Sequence, residues 1–279
     1  MTRKQKQNLS KIILEIFMVI FAIIFIYPIF LMFINSVKPF GEVVSDVIAL
    51  PSKIEWENYR YVIDKMNYPR LFINNLVITS IGIVGIVAFS AITAYIIDRR
   101  RTKYTKIAHL IITTPMLIPF QTIMITLLKV MNVIHLSGST WGLGVQYWGF
   151  GIPMASFIYC NFMQTIPKEI DESAIIDGAS TFRTFISVIF PLLKSVTATV
   201  IVLDVMWIWN DFLLPLLMVN SSPATKTLVL SAYTFVGQFN TQWHYAMTAM
   251  VLAVLPSIIF FVLLQRHIVD GVVAGAVKG

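Results

Sequence analysis

The sequence is poor in charged residues and in cysteine, and both shortages restrict the class of protein. Asp, Glu, Lys and Arg make up 13% of the 279 residues, whereas hydrophobic residues make up 57%, and the mean hydropathy is +0.78. This balance excludes an ordinary soluble domain. The single cysteine, Cys160, excludes an internal disulfide framework and a cysteine-based metal site. Because Cys160 lies in an apolar run, we expect it to be a small core residue.

The sequence also lacks the motifs of common nucleotide-binding and hydrolytic sites. It contains no GxxxxGKS or GxxxxGKT loop for ATP phosphates, and GFGIP at 149–153 has neither the spacing nor the strand–helix setting of a dinucleotide loop. The four histidines lie far apart and form no HExxH pair. We therefore predict that this chain is not an enzyme and has no catalytic residue, metal site or cofactor of its own.

Six long apolar runs predict an all-α polytopic membrane protein, because a helix needs about 20 apolar residues to cross a bilayer. We predict six transmembrane helices in a single domain over residues 1–279, at about 12–34, 71–97, 107–130, 143–164, 192–219 and 245–267. The basic segment before the first run resembles a signal peptide, but the run is too long and no cleavage site follows. Pro115 and Pro119 predict a kink in the third span.

The basic residues predict the orientation in the cell (inner) membrane. Of the 21 Lys and Arg residues, fourteen lie on the side that holds the N-terminus, the 98–106 loop, the 168–191 hairpin and the C-terminal tail. Five of the six on the opposite side lie in the long 35–70 loop, and long loops weigh less in the positive-inside rule. We therefore place both termini in the cytoplasm. The same asymmetry explains the net charge of +7 without a nucleic-acid partner.

The segment 168–191 interrupts the apolar runs with charged residues and turn residues. Asp171 and Glu172 fall near the positive end of a first short helix. Gly178 permits a sharp turn, and Ser180 is a natural cap for a second helix. Three- and four-residue steps predict one apolar face, formed by Ile175, Phe182, Phe185, Ile186 and Ile189. Such a hairpin suits docking into a partner's groove; the alternative is a helix lying flat on lipid headgroups.

The hairpin resembles the EAA signature of ABC importer permeases. Glu172-Ser173-Ala174 is followed after three residues by Gly178 and after nine more by Val188-Ile189-Phe190-Pro191. This spacing agrees with the family pattern of Glu-Ala-Ala, Gly and Ile-x-Leu-Pro, whereas Ser173, Val188 and Phe190 depart from it in type. The resemblance implies the type I ABC importer permease fold and a hairpin that contacts an ATPase subunit through Glu172, Ser173, Ala174, Asp177, Gly178, Ala179, Phe182 and Pro191.

Other segments resemble the sugar-importing branch, in particular the smaller permease of maltose-type transporters. They are INSVKP at 34–39, WNDF at 209–212 and the tail 268–279, whose last residues Gly275, Ala276, Val277, Lys278 and Gly279 would contact the ATPases. The resemblance implies a second, homologous permease, so that the two form a heterodimer, and two cytoplasmic ATPase subunits that bind ATP and Mg. It also implies an extracytoplasmic solute-binding protein that meets the 35–70 and 220–244 loops.

The same resemblance implies import of a sugar or oligosaccharide. The alternatives are a non-sugar solute such as a glycerol-phosphate-like compound and, in another class, an ion-coupled secondary transporter. An intramembrane hydrolase is a third class, because Asp204 and Asp211 are two turns apart and would share a helix face. Hydrolase dyads, however, usually draw on two helices. Co-purification with an ATP-hydrolysing subunit distinguishes the importer from the others.

The candidate substrate pathway consists of Asp204, Trp207, Asn210 and Asp211. A carboxylate near the middle of the membrane is costly unless it faces protein or water, so Asp204 either binds a solute hydroxyl or cation or is satisfied by neighbouring helices. Asn210, Asp211 and Trp207 offer hydrogen bonds and a stacking face for a sugar ring; the alternative is an interfacial packing cluster. We interpret Asn74 and Asn75 as residues at the start of a helix rather than as ligands.

Overall fold

The computed structural model describes residues 3–237 and 240–276, and the regular elements in this part of the chain are helices, with no strand. Contacts divide the chain into two compact units. One comprises Met1–Tyr68 and Ser231–Ala253, and the other comprises Pro69–Leu230 and Val254–Gly279. The helical composition confirms the predicted all-α class.

The helices follow one another along the chain with short connections. In the first part they are α1 (Arg3–Ser36), α2 (Phe40–Ser45), α3 (Glu57–Met66), α4 (Tyr68–Arg100), α5 (Lys103–Thr113), α6 (Phe120–Val133) and α7 (Thr140–Met163). In the second part they are α8 (Glu169–Ile176), α9 (Thr181–Thr184), α10 (Phe190–Leu192), α11 (Lys194–Asn210), α12 (Leu213–Met218), α13 (Leu228–Ala232) and α14 (Trp243–Ala276). A 3₁₀ turn (Thr114–Leu117) follows α5, a π-helical turn (Phe185–Ile189) joins α9 to α10, and a 3₁₀ turn (Tyr233–Phe235) follows α13.

Among the residues that the structure describes, three helices are long and apolar enough to cross a membrane, with spans at Ser10–Ser36, Tyr68–Arg100 and Trp243–Gln265. Two bent pairs raise the number to five if each pair is one span: Lys103–Leu117 with Phe120–Val133, bent by 105°, and Thr181–Leu192 with Lys194–Asn210, bent by 76°. Helix α7 is 24 residues long but is not among them. The count of six spans therefore stays a prediction.

The third and fifth predicted spans are not straight helices. The break between α5 and α6 lies at Pro115 and Pro119, as predicted, because proline removes a backbone donor and blocks the preceding turn. The fifth span, predicted over 192–219, is helical only as far as Asn210 and resumes at Leu213. Asp211 has an extended backbone, with ψ at 138°.

The unit that contains α1 is held by hydrogen bonds to backbone carbonyls. The Asn58 amide donates to the carbonyls of Ser36 at 3.0 Å and Lys38 at 2.9 Å. The Thr248 hydroxyl donates to the same Ser36 carbonyl at 2.8 Å. Every residue from 11 to 30 of α1 is exposed. The apolar surface of this helix is therefore left for lipid or for another chain.

In the other unit, α4, α7 and α11 form the core, and α4 and α7 approach closely at glycines. A Cβ on Gly85 would overlap the Trp148 indole, and one on Gly144 would lie 2.8 Å from the Ile81 side chain. Since real Cβ atoms do not approach this closely, only glycine fits at these two positions. The Trp148 indole N–H donates to the Ile81 carbonyl at 2.8 Å, and this hydrogen bond joins α7 to α4.

Asn74 and Asn75 are not at the start of a helix, because α4 begins at Tyr68. The Asn74 amide donates to the carbonyls of Ala224 at 3.0 Å and Lys226 at 2.9 Å. The Asn75 side chain donates to the Trp209 carbonyl at 3.2 Å and accepts from the Leu228 N–H at 2.9 Å. Asn74 therefore joins α4 to the segment before α13, and Asn75 joins α4 to the end of α11 and to the start of α13.

Candidate functional site: the charged hairpin and the cavity beside α11

The turn of the 168–191 hairpin has the geometry that its sequence predicts. Gly178 adopts φ of +85°, a left-handed conformation that glycine tolerates best. The Ala179 N–H donates to the Ala174 carbonyl and the Gly178 N–H donates to the Ile175 carbonyl, both at 3.0 Å. This is the Schellman pattern, which satisfies the last carbonyls of α8. The Ser180 hydroxyl then caps α9 by accepting from the Arg183 N–H at 3.3 Å.

The prediction of a single apolar face on the hairpin is wrong. Phe185 and Ile189 are buried in the core of their unit, whereas Ile175, Phe182 and Ile186 are exposed. One helical period does not run through these five residues, because Ile175 lies in α8 before the turn at Gly178 and the π-helical turn interrupts the helix that follows. Pro191 favours this turn because it cannot donate to the carbonyl four residues before it.

The exposed residues form a ridge at the tip of the hairpin, which we call the hairpin ridge. It comprises Glu172, Ile175, Ile176, Asp177 and Phe182. Ile176 is 84% exposed and Phe182 is 71% exposed. Large apolar side chains exposed this far beside carboxylates are typical of a docking surface. Ser173 is also exposed, and its hydroxyl donates to the Glu169 carbonyl at 2.9 Å, within α8.

Asp171 does not share this acidic surface. It is buried and pairs with Arg99 at the end of α4, with 2.8 Å between Asp171 Oδ2 and Arg99 Nη2. Arg99 also pairs with Asp98 at 2.7 Å and donates to the Ile166 carbonyl at 3.2 Å. Sequence reasoning missed this contact, because Arg99 lies 72 positions before Asp171 and the 98–106 run was interpreted as an orientation signal only.

Of the four candidate pathway residues, the structure brings Trp207 and Asp211 together. Both line a cavity of about 180 Å³ with Phe120, Gln121, Phe150, Leu213 and Leu214. The Tyr147 hydroxyl donates to Asp211 Oδ2 at 2.9 Å, and the Leu213 N–H donates to Asp211 Oδ1 at 3.0 Å. The Tyr147 ring meets Trp207 edge to face at 5.3 Å. The cavity thus combines aromatic faces, an amide and an oriented carboxylate.

Asn210 and Asp204 are not part of this cavity. The Asn210 amide donates to the Met206 carbonyl at 2.8 Å and its oxygen accepts from the Ser257 hydroxyl at 3.2 Å, which is a packing role. Asp204 is buried within α11. The expectation that Asp204 and Asp211 share a helix face is wrong, because α11 ends before Asp211. Sequence reasoning also missed Gln121, Phe120 and Phe150, since they come from other helices.

The residues from 86 to 273 match a known family, described as binding-protein-dependent transport system inner membrane component. The match covers more than half of the chain. The chain belongs to this family. The hairpin and the cavity residues lie within the matched range, and the family predicted from the hairpin motif is confirmed.

Three named relatives are similar to this chain over at least nine-tenths of its length. The chain is 37% identical to the probable starch degradation products transport system permease protein AmyC of Thermoanaerobacterium thermosulfurigenes, over 98% of this chain and 99% of that protein. It is 29% identical to the multiple sugar-binding transport system permease protein MsmG of Streptococcus mutans, over 99% and 100%. It is 30% identical to the melibiose/raffinose/stachyose import permease protein MelC of Bacillus subtilis, over 90% and 91%.

The fold is similar to a chain in the crystal structure of a bacterial ABC transporter involved in the import of the acidic polysaccharide alginate. The TM-score is 0.80, and the similarity covers 95% of this chain and 98% of that chain at 21% identity. The likeness confirms the predicted permease fold of ABC importers.

This inner membrane component is a multi-pass membrane protein of the cell membrane and is not itself an enzyme. In the part of the chain that the structure describes, no group of three or more His, Cys, Asp or Glu residues could hold a metal ion. Gly275 and Ala276 are the last residues of α14, whereas Val277, Lys278 and Gly279 lie outside the described residues.

Proposed function

We propose that this chain is the permease subunit of an ATP-driven importer for a sugar or oligosaccharide, and that it forms one half of the translocation pathway. Three relatives similar over nearly their whole length are named for the transport of starch degradation products, multiple sugars and melibiose, raffinose and stachyose. These names support a carbohydrate substrate. They do not single out one sugar, because they differ among themselves.

The energy for transport enters through the hairpin ridge. The sequence has no phosphate-binding loop for ATP, so ATP and Mg are bound by two cytoplasmic ATPase subunits. The observation that carries this proposal is the ridge itself, where Ile176 and Phe182 are exposed beside Glu172 on a turn fixed by Gly178. The apolar side chains fill a groove of the ATPase, and Glu172 pairs with a basic residue there. A close charge pair across an interface couples by about 1.5–7 kcal/mol.

The other partners are a second, homologous permease and an extracytoplasmic solute-binding protein. The exposure of residues 11 to 30 of α1 supports a lateral contact with the second permease and with lipid, because these residues pack on nothing in their own unit. The binding protein contacts the loops at 35–70 and 220–244. The C-terminal residues Gly275–Gly279 contact the ATPases.

The cavity beside α11 is the part of the pathway that this chain contributes. Trp207 offers a face for a sugar ring, and Asp211 accepts hydrogen bonds from hydroxyls while Tyr147 holds its orientation. Asp204, which is buried, lies within the same helix as Trp207 and is expected to affect uptake through the packing of α11. Asn210 supports the helix rather than the solute.

The test replaces Glu172 in the complete transporter. Glu172→Lys is expected to assemble poorly with the ATPase and to abolish solute-stimulated ATP hydrolysis, because the charge of the ridge is reversed. Glu169→Lys is the matched control, since Glu169 is also an exposed acid of α8 but lies outside the motif. Co-purification and phosphate release measure the two effects. Normal stimulated hydrolysis in Glu172→Lys would contradict the coupling role.

The substrate class is tested by uptake into proteoliposomes that contain both permeases, the ATPases and the binding protein. Uptake of labelled di- and oligosaccharides that requires ATP and the binding protein supports the proposal. Uptake of glycerol phosphate in their place would assign the non-sugar alternative. Uptake driven by an ion gradient without ATPase would show a secondary transporter.

A further inference from the structure

Buried ion pairs join the end of α4 to the coupling hairpin. The Arg99 guanidinium lies 2.7 Å from Asp98 Oδ2 and 2.8 Å from Asp171 Oδ2. The three side chains are only 11%, 4% and 8% exposed. Arg101, which is 59% exposed, pairs with the other oxygen of Asp98 at 2.7 Å. Two acids and two bases thus balance, and Arg99 is the member that reaches the hairpin.

Arg99 and the neighbouring Tyr95 also contact the chain on either side of α8. Arg99 donates to the Ile166 carbonyl at 3.2 Å, in the link between α7 and α8. Its guanidinium carbon lies 6.0 Å from the centre of the Tyr95 ring, and that ring packs against Phe185 of the π-helical turn at 5.1 Å. Arg99 therefore holds the start of the hairpin against α4, and the Tyr95 ring beside it packs on the second half of the hairpin.

Stability alone does not account for this arrangement. Burying two opposite charges costs about as much in lost hydration as their attraction returns, and apolar residues of similar volume often stabilise a site as well. What an ion pair adds is a specific partner for each charge, because a buried charge that loses its partner strongly destabilises the protein. These properties suit a contact between α4 and the hairpin that must keep its geometry while a force acts on the hairpin.

We propose that Arg99 is a positioning residue that makes α4 move together with the coupling hairpin. Helix α4 is already packed closely on α7 at Gly85 and Gly144, and α7 leads directly into the hairpin. Arg99 adds a direct contact between α4 and α8. A force applied to α8 is therefore transmitted to α4 without bending the link that contains Ile166. The inference rests on the proposed role of the hairpin as the site where the ATPase acts.

The experiment compares four variants and a matched control in the reconstituted transporter. Arg99→Met and Asp171→Asn each break the contact between α4 and α8, and the double variant removes both partners while Asp98 keeps its pair with Arg101. Asp171→Glu keeps the charge and serves as the conservative variant. Arg100→Gln is the matched control, because it removes an exposed positive charge from the same turn of α4. Stimulated ATP hydrolysis and sugar uptake are measured on the same proteoliposomes, together with assembly.

We expect the double variant and Asp171→Asn to assemble and to retain stimulated hydrolysis, while uptake per ATP falls about tenfold, within the usual range of coupling between sites. Asp171→Glu should recover most of the uptake per ATP. Arg100→Gln should stay within about twofold of the wild type, because substitutions of exposed residues usually have small effects. A general loss of stability would lower hydrolysis and uptake in proportion and would leave their ratio unchanged.

Two results would overturn the inference. One is an unchanged uptake per ATP in both Asp171→Asn and the double variant. The other is failure of both to assemble, which would make the ion pairs purely structural. These outcomes differ from a failure of the proposed function itself, in which the wild-type complex would show no solute-stimulated ATP hydrolysis at all.

Discussion

The turn at Gly178 allows the effect of backbone strain on coupling to be separated from the effect of a steric clash. Gly178 has φ of +85°, and a Cβ built on it would meet no atom within 4 Å. An alanine there would therefore be penalised by its conformation alone, by about 1–2 kcal/mol for an L-residue in the left-handed region. Asparagine, which visits this region more readily, should cost less.

If the free hairpin of a variant relaxes to another turn and the ATPase binds only the present shape, binding must restore the strained turn, and the affinity falls. A penalty of about 1–2 kcal/mol corresponds to about 5- to 30-fold weaker binding. We expect affinity to decrease in the order Gly178, Gly178→Asn, Gly178→Ala and Gly178→Val. The valine variant is the weakest because β-branched residues are true outliers at positive φ. Titration of the solubilised permease pair with the ATPase measures this order.

Gly138 provides a control of the same kind. It has φ of +77° and also has no atom within 4 Å of a built Cβ, but it lies in the connection between α6 and α7. Gly138→Ala should lower the melting temperature without lowering the affinity for the ATPase. Equal affinities of Gly178→Ala, Gly178→Asn and wild type, or an equal loss in Gly138→Ala, would refute the argument.

Two further predictions concern the core and the cavity. Gly85→Val should lower the melting temperature of the permease by overpacking against Trp148, at a cost of about 1–3 kcal/mol. Gly149→Val should not lower it, since a Cβ there meets no atom within 4 Å. Thermal unfolding in detergent compares the two variants, and equal melting temperatures would contradict the close packing at Gly85. Asp211→Asn should reduce sugar uptake by weakening the binding of sugar hydroxyls in the cavity, while assembly and basal ATP hydrolysis remain unchanged. Unaltered uptake would show that Asp211 serves only in packing.

Local chemistry made the tip of the hairpin predictable from the sequence. Gly178 and Ser180 act on the atoms of their own turn, so the residue types alone indicate where α8 ends and α9 begins. The same holds for the break at Pro115 and Pro119, where the missing N–H groups act within one turn of helix.

The partners of buried polar residues could not be predicted from local residue types. Asp171 looks like part of an acidic surface until Arg99 is placed beside it, and periodicity gives no information about a contact between residues so far apart in the chain. The apolar face was also misjudged, because a helical period of 3.6 residues assumes a regular helix and the π-helical turn before Pro191 breaks that regularity.

The two ends of the hairpin are attached to the helices in different ways, and this difference links the hairpin ridge to the cavity. At its start, the hairpin is held to α4 by Arg99 and joined to α7. At its end, the chain passes through the π-helical turn and a 76° bend before α11 begins. Movement of the hairpin should therefore be taken up at this bend, as a change in the angle of α11.

A small rotation of α11 at this bend produces a large displacement of the residues at the cavity. Helix α11 has 17 residues and is about 25 Å long, so a rotation of about 10° at its start displaces its far end by about 4 Å. That displacement is comparable with the 5.3 Å between the rings of Tyr147 and Trp207. It exceeds the reach of the hydrogen bond from Tyr147 to Asp211, which is 2.9 Å long and weakens steeply when it is stretched. Because Trp207 and Asp211 lie at the far end of α11, they are the cavity residues that should respond most strongly to the ATPase.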